Sequence, residues 1–289
     1  MASYKSSQLF HPMPLSPRQT LATLEALGHS PRERLGQNFL VDANIVAKSL
    51  QLAAVGPGDA VVEVGPGLGT LTSALLEAGA EVWAVEFDAR LAGHLRATIT
   101  AERFHLLEAD AVDSPLAGLP ETVEHFKVVA NLPYAIATPW MEGVIAERLP
   151  EQMVLMLQKE CADRFCARPG SKKYGGISIF LEAAYDRAPG HPVARTCFHP
   201  PPGVDSVLLN LVRRDAPFTF HAATRTAIRQ LFTQRRKQLG GLMRAHLESR
   251  VAGAWQAKLQ ALGVPLTTRP EAVPLEAWKA LDGCLRPAG

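Results

Sequence analysis

The chain has 289 residues, 47% hydrophobic and 20% charged, the composition of an ordinary soluble globular protein with enough core for one large domain and a smaller one. No apolar run reaches membrane-spanning length, and the N-terminus lacks a basic-then-apolar signal. The four cysteines and nine histidines show no zinc-type spacing, so the expectation is a cytoplasmic protein with reduced thiols, no metal and no membrane contact. The net charge of +2 hides a split: residues 1–158 hold 10 Lys and Arg against 18 Asp and Glu, whereas residues 159–250 hold 16 against 7. Such asymmetry points to a polyanion on the basic side.

Residues 1 to about 15 are polar and Pro-containing and are expected to be mobile. "SPRQTLATLEALG" then predicts a helix with Ser16 as N-cap, Pro17 in the first turn and Gly28 as its stop. "RERLGQNFL" is a loop, and Asp42 caps a helix over roughly 43–54. From Asp59 a regular alternation sets in. "AVVEV" is a strand followed by "GPGLG" and a helix from Thr70 to Ala78; "EVWAVEFD" is a second strand with a helix near 89–100. "FHLLEAD", "FKVVANLPY" and "EQMVLMLQ" are the third to fifth strands, the last leading into a helix around 159–167. Strands alternating with helical patterns predict a parallel sheet covered on both faces. Beyond it come a helix in "GGISIFLEAAYD", a short strand near Val193, the loop "FHPPPGVDS" and a strand in "SVLLNLVRR"; after Pro217 the pattern is helical. The division expected is an N-terminal extension over 1–31, a Rossmann-like domain over 32–216 and a small all-α domain over 217–289.

In an open α/β sheet, ligands sit beyond the carboxyl ends of the strands near the topological switch point. Here the first strand ends at Gly65 and Gly67, the second at Glu86, the third at Asp110 and the fourth at Asn131, all on one edge. The glycines let backbone pass close to a ligand ahead of a helix N-terminus. Glu86 lies 21 residues after Gly65, where a carboxylate meets a ribose diol. Asp110 is placed either to accept from an adenine amine or to cap a helix. A glycine-rich loop by itself serves NAD enzymes, S-adenosylmethionine enzymes and plain turns alike. Two details favour S-adenosylmethionine: the loop reads GPGLGT rather than GxGxxG, and "NLPY" occupies the strand end along which a dinucleotide would extend.

"NLPY" reads either as an Asn-Pro turn with a core tyrosine or as an acceptor site. In the second reading the Asn131 side-chain carbonyl and the Leu132 backbone carbonyl accept from an exocyclic amine and free its lone pair. Pro133 fixes the carbonyl direction, and Tyr134 offers a flat face to an extruded base. No general base is needed before attack, so catalysis rests on positioning and electrostatics.

The segments "LGQNFL", "VVEVGPGLGTLT", "AVEFD", "EADAVD", "NLPYAIATP", "FHPPPGVDS" and "LFTQRRKQL", in this order across roughly 32–245, resemble the ribosomal RNA adenine N6-dimethyltransferases of the small-subunit type. The resemblance implies a class I S-adenosylmethionine-dependent methyltransferase fold. It also implies methyl transfer to N6 of two adjacent adenosines in the 3′-terminal hairpin loop of 16S rRNA, within an immature small ribosomal subunit, by a monomer. By the same analogy Asn38 and Leu40 close over the cofactor, and Gly65, Gly67, Glu86, Asp110 and Asn131 bind it. Phe198 would be a second stacking face opposite Tyr134, although a phenylalanine beside three prolines is often core packing. Asp205 and Ser206 would stabilise that loop. Gly240-Gly241 departs from relatives that commonly carry an Asn near this point.

Residues 222–250 hold seven Lys and Arg against one acid, Glu248. Arg225, Arg229, Arg235, Arg236 and Lys237 are the candidate phosphate contacts, set against the alternative of a solvated helix face. The competing functions are a large-subunit (23S) rRNA dimethylase of the antibiotic-resistance type, a non-catalytic ribosome assembly factor, and a small-molecule or NAD enzyme.

Overall fold

A computed structural model of the protein describes residues 15–32 and 36–285; the polar stretch before residue 15, expected to be mobile, lies outside them, as do Glu33, Arg34 and Leu35. The strands are β1 (Phe39–Leu40), β2 (Ala60–Val64), β3 (Glu81–Glu86), β4 (Phe104–Glu108), β5 (Lys127–Asn131), β6 (Gln152–Gln158), β7 (Tyr185–Val193), β8 (Phe198–His199) and β9 (Ser206–Arg213). The helices are α1 (Pro17–Ala26), α2 (Ala43–Leu52), α3 (Thr70–Glu77), α4 (Ala89–Thr98), α5 (Ala137–Glu147), α6 (Lys159–Phe165), α7 (Gly176–Ala184), α8 (Ala222–Phe232), α9 (Leu239–His246), α10 (Ser249–Ala261) and α11 (Leu275–Leu285). Two helix starts follow directly from the side chains before them. The Ser16 hydroxyl accepts from the Gln19 N–H, and Asp42 accepts from the N–H groups of Asn44 and Ile45.

One seven-stranded sheet runs in the order β4-β3-β2-β5-β6-β9-β7. Strands β4 to β6 are joined by parallel pairings, with Val62 opposite both Trp83 and Val128. The chain enters at the centre on β2, moves outward through β3 and β4, then returns to β5 on the other side of β2. The switch point therefore lies between β2 and β5, and their carboxyl ends open onto one crevice. Val61, Val62, Val82, Ala84, Val128, Val129 and Val154 are fully buried. Central parallel strands are covered on both faces and carry continuous apolar runs for that reason. Each such valine contributes about 1.5–3 kcal/mol by leaving water.

Two elements differ from the sequence expectation. The short strand near Val193 is nine residues long and follows α7 without a loop. Phe39 and Leu40, expected in a loop, form β1 and pair antiparallel with β8, Leu40 opposite Phe198. That partner lies far along the chain, so no local pattern announces the strand.

The chain divides into two compact units, one holding residues up to Gly143 with Pro150–Lys159 and Ala188–Leu211, the other Val144–Leu149, Glu160–Arg187 and Val212–Gly289. The second unit thus draws on residues well before 217. Its core is aromatic: Trp278 lies 5.4 Å from Trp255 and 5.8 Å from Phe232, and Phe180 lies 5.6 Å from Phe220. Buried Asp282 on α11 accepts the His221 N–H at 2.9 Å and so caps α8 from another helix. The two glycines Gly240 and Gly241 sit inside α9, which forms despite them. A Cβ on Gly240 would lie 3.2 Å from Leu266 Cβ, so close packing of that turn accounts for the small residue.

Candidate active site

The crevice at the switch point is walled by Gly65, Gly67, Glu86, Phe87, Asp110 and Asn131, with Asn38, Leu40 and Pro133 also lining it. β2 ends where the chain must turn sharply, and Gly65 takes φ +67°, a conformation costly for any residue with a Cβ. A Cβ there would also meet Pro133 Cγ at 3.2 Å, so the first loop and the Asn131–Tyr134 turn pack directly against each other. Glu86 closes β3. Its Oε2 accepts the Gly67 N–H at 3.1 Å and its Oε1 accepts the Asp88 N–H at 2.9 Å. Each carboxylate oxygen keeps a second lone pair for a ligand. Burial pushes the Glu86 carboxyl up from its ordinary value, while the Asp88 and Gly67 N–H groups hold it down.

Of the two roles expected for Asp110, the structure shows the capping one. Its Oδ1 accepts the Val112 N–H at 2.8 Å, capping the following turn, while the residue still lines the crevice. Phe87, between the two acids of β3's exit, is 59% exposed and turns an aromatic surface to the same crevice. At the floor, Glu63 is fully buried and accepts from the Thr72 hydroxyl at 2.7 Å. Burial pushes its carboxyl up to about 8, against the Thr72 hydroxyl that holds it down, and the nearby Glu86 charge adds to the rise.

Asn131 ends β5, and its Nδ2–H donates to the Asn38 carbonyl at 2.8 Å. That bond leaves Oδ1 without a partner among the described residues and ties segment 36–40 across the crevice; Asn38 in turn donates to the Gly36 carbonyl at 3.1 Å. The segment is also fixed by the β1–β8 pairing and by the Val41 N–H donating to Cys197 O at 2.9 Å. Leu132 is buried, and Tyr134 opens a single 3-10 turn with its ring half-buried.

The crevice thus brings together a glycine turn, a strand-end carboxylate and an Asn-Leu-Pro-Tyr strand end, and likeness to known proteins identifies the family. Residues 28–268 match the family described as "Ribosomal RNA adenine dimethylase". The chain belongs to that family. It is 59% identical over 274 residues to "Ribosomal RNA small subunit methyltransferase A" of Opitutus terrae, covering 93% of this chain and 99% of that one. A protein of the same name from Streptomyces griseus is 40% identical, covering 92% and 94%. Among solved structures, a dimethyladenosine transferase from Plasmodium falciparum shares the fold, with a TM-score of 0.66, 24% identity and coverage of 84% and 95%. The 23S rRNA methyltransferase ErmE aligns with a TM-score of 0.63 and 25% identity, covering 86% and 99%.

The protein is accordingly an S-adenosylmethionine-dependent rRNA adenine dimethylase. The residues present fit that cofactor. Glu86 and Asp110 would hold its ribose diol and adenine amine, Phe87 would pack on the adenine, and the Gly65–Gly67 turn would leave room for the remainder. Phe87 was not singled out from sequence, because a Phe between two acids carries no periodic signal; its place beside Glu86 at a strand end is what could have revealed it.

Other expected residues fall elsewhere. Phe198 is 3% exposed, packs with Leu40, Val193 and Leu208, and does not line the crevice. Phe198, expected as the stacking face opposite Tyr134, is thus buried in this structure, on β8 opposite Leu40. Three of the basic candidates are also engaged inside the protein. Arg225 donates to the Phe220 carbonyl at 2.6 Å, Arg229 lies over the Phe180 ring, and Arg235 pairs with Glu271 at 2.8 Å. Arg236 and Lys237 are exposed and line a depression with Arg244, from the same basic run, and with Arg269, which the sequence reading left out. None of these four pairs with an acid among the described residues, and the depression gathers three positive charges from residues 236–244 and a fourth from Arg269. No group of His, Cys, Asp and Glu poised to hold a metal occurs among the described residues, and no described helix is long and apolar enough to cross a membrane.

Proposed function

We propose that the enzyme dimethylates N6 of two adjacent adenosines near the 3′ end of small-subunit rRNA, acting on an immature small ribosomal subunit. The relative named for the small subunit, 59% identical over nearly its whole length, supports the choice of RNA. The observation that carries the mechanism is the Asn131–Asn38 hydrogen bond. With Nδ2 spent on backbone, Oδ1 is held as an acceptor at the end of β5, beside the Leu132 carbonyl. Two acceptors on one amine weaken its conjugation with the purine ring and orient its lone pair. The bound cofactor supplies an electrophilic methyl group. Everything else is positioning: Tyr134 gives the extruded base a face to stack on, and Gly65 lets that turn sit against the cofactor loop. Burial raises the Tyr134 hydroxyl's pKa, so the phenol stays neutral and plays no part as a base.

On the RNA side, Arg236, Lys237, Arg244 and Arg269 are the phosphate contacts, and Arg225, Arg229 and Arg235 hold the helices that present them. The test is methyl transfer from labelled S-adenosylmethionine to small subunits that lack the modification, with products mapped by nuclease digestion. Two adjacent N6,N6-dimethyladenosines near the 3′ end are expected. No label on the small subunits, with label appearing instead on large-subunit RNA offered in a parallel reaction, would reject the reading in favour of the resistance-type activity.

A further inference from the structure

Tyr134 is held at both ends. At the backbone end, the 3-10 turn Tyr134–Ile136 is closed by the Ile136 N–H donating to the Pro133 carbonyl at 3.2 Å. At the far end, the phenolic oxygen shares a hydrogen bond of 2.8 Å with Ser206 Oγ. Ser206 is 1% exposed and is the first residue of β9, in the strand that follows the Pro-rich loop. Its neighbour Asp205 is itself fixed: the carbonyl accepts the Lys159 N–H at 3.2 Å, and the side chain accepts the Arg195 N–H at 3.4 Å. The serine hydroxyl is thus a rigid anchor standing on the sheet.

A hydrogen bond at the para oxygen lies on the long axis of the ring. It opposes any swing about χ1, which would carry the ring away from the Asn131 strand end. In an isolated turn, a half-exposed tyrosine samples more than one χ1 well. An aromatic face that must meet an extruded base loses rate each time it starts from the wrong well.

We propose that Ser206 is a positioning residue of the methyl-transfer reaction, acting through Tyr134 by fixing the ring on which the target adenine stacks. This rests on Tyr134 being the stacking face, so the experiment separates the two ideas. Ser206→Ala, Tyr134→Phe, the double variant and Tyr134→Ala are compared with the unaltered enzyme in single-turnover methyl transfer to small ribosomal subunits. Affinity for S-adenosylhomocysteine is measured in parallel. Ser206→Ala and Tyr134→Phe should each lower the maximal single-turnover rate by about three- to tenfold, the worth of one hydrogen bond, with the subunit concentration giving half that rate and the cofactor affinity unchanged. The double variant should be no slower than either single one, since both remove the same bond. Losses that multiply in the double variant, or unchanged rates in both single variants, would overturn the assignment of Ser206. Tyr134→Ala should lose on the order of a hundredfold or more of the turnover while still binding S-adenosylhomocysteine. Near-normal turnover in Tyr134→Ala would remove the stacking role itself, whatever Ser206 does. A variant with altered cofactor affinity reports disturbance of the fold, and equal loss of rate in Tyr134→Phe then tests the same bond from its other end.

Discussion

Replacing Gly65 by alanine tests whether the cofactor loop and the acceptor turn are one device. Two costs arise at that position. The backbone stands at φ +67°, where a Cβ costs about 1–2 kcal/mol. The new methyl would also lie 3.2 Å from Pro133 Cγ and 3.4 Å from Cδ, inside ordinary contact, against a ring that cannot turn aside. Gly58 provides the control, because it stands at φ +82° with no atom within 4 Å of the added Cβ. Gly58→Ala should therefore lower the urea midpoint by the backbone cost alone, with an unchanged m-value and normal turnover. Gly65→Ala should show at least the same loss of stability, and in addition push Pro133 and with it the Asn131 and Leu132 carbonyls by a few tenths of an ångström. Misplacement of a reacting group by 1 Å costs about a hundredfold, so a loss of roughly tenfold in kcat is expected. Equal turnover in the two variants would refute the coupling.

Asn131→Ala should lower the methyl-transfer rate by on the order of 10²–10³ with the protein still folded, read in single turnovers, since one positioned hydrogen-bond partner is lost. Asn131→Asp should in addition weaken S-adenosylhomocysteine binding by calorimetry, because a carboxylate cannot donate to the Asn38 carbonyl that holds segment 36–40. Glu63 gives a pH signature. Its carboxyl is raised from 4.5 to about 8, so between those values the folded state holds a proton that the unfolded chain has released. Stability should fall with rising pH across that window, by up to about 1.4 kcal/mol per pH unit, and level off above it. Urea titrations of Glu63→Gln should lack that slope. Arg235→Ala should lower stability by about 1 kcal/mol or less through loss of the Glu271 pair, and leave the salt dependence of RNA binding alone. Arg236→Ala with Lys237→Ala should do the opposite, reducing the slope of log affinity against log salt by between about one and two.

The central sheet was legible because its signals are local: β-branched runs, glycine turns and an acid or asparagine where each run stops. Glu86, Asp110 and Asn131 could be placed together from strand order alone, since successive parallel strands share an edge. What stayed illegible depends on partners distant in sequence. β1 exists because Leu40 meets Phe198, and the same pairing takes Phe198 into the core. The basic run around Arg235 reads as uniform, yet Glu271 claims one of its members and Arg269 joins the rest. Ser206 looked like part of a loop until the Tyr134 hydroxyl was seen on it.

The most direct measurement is a crystal structure of the enzyme with S-adenosylhomocysteine. The ribose hydroxyls should lie on the Glu86 carboxylate, the adenine against Phe87 and Asp110, and the sulphur should face Asn131 Oδ1. A ligand lodged away from these strand ends, or one whose sulphur points away from Asn131, would contradict the placement of the methyl donor beside the acceptor amine.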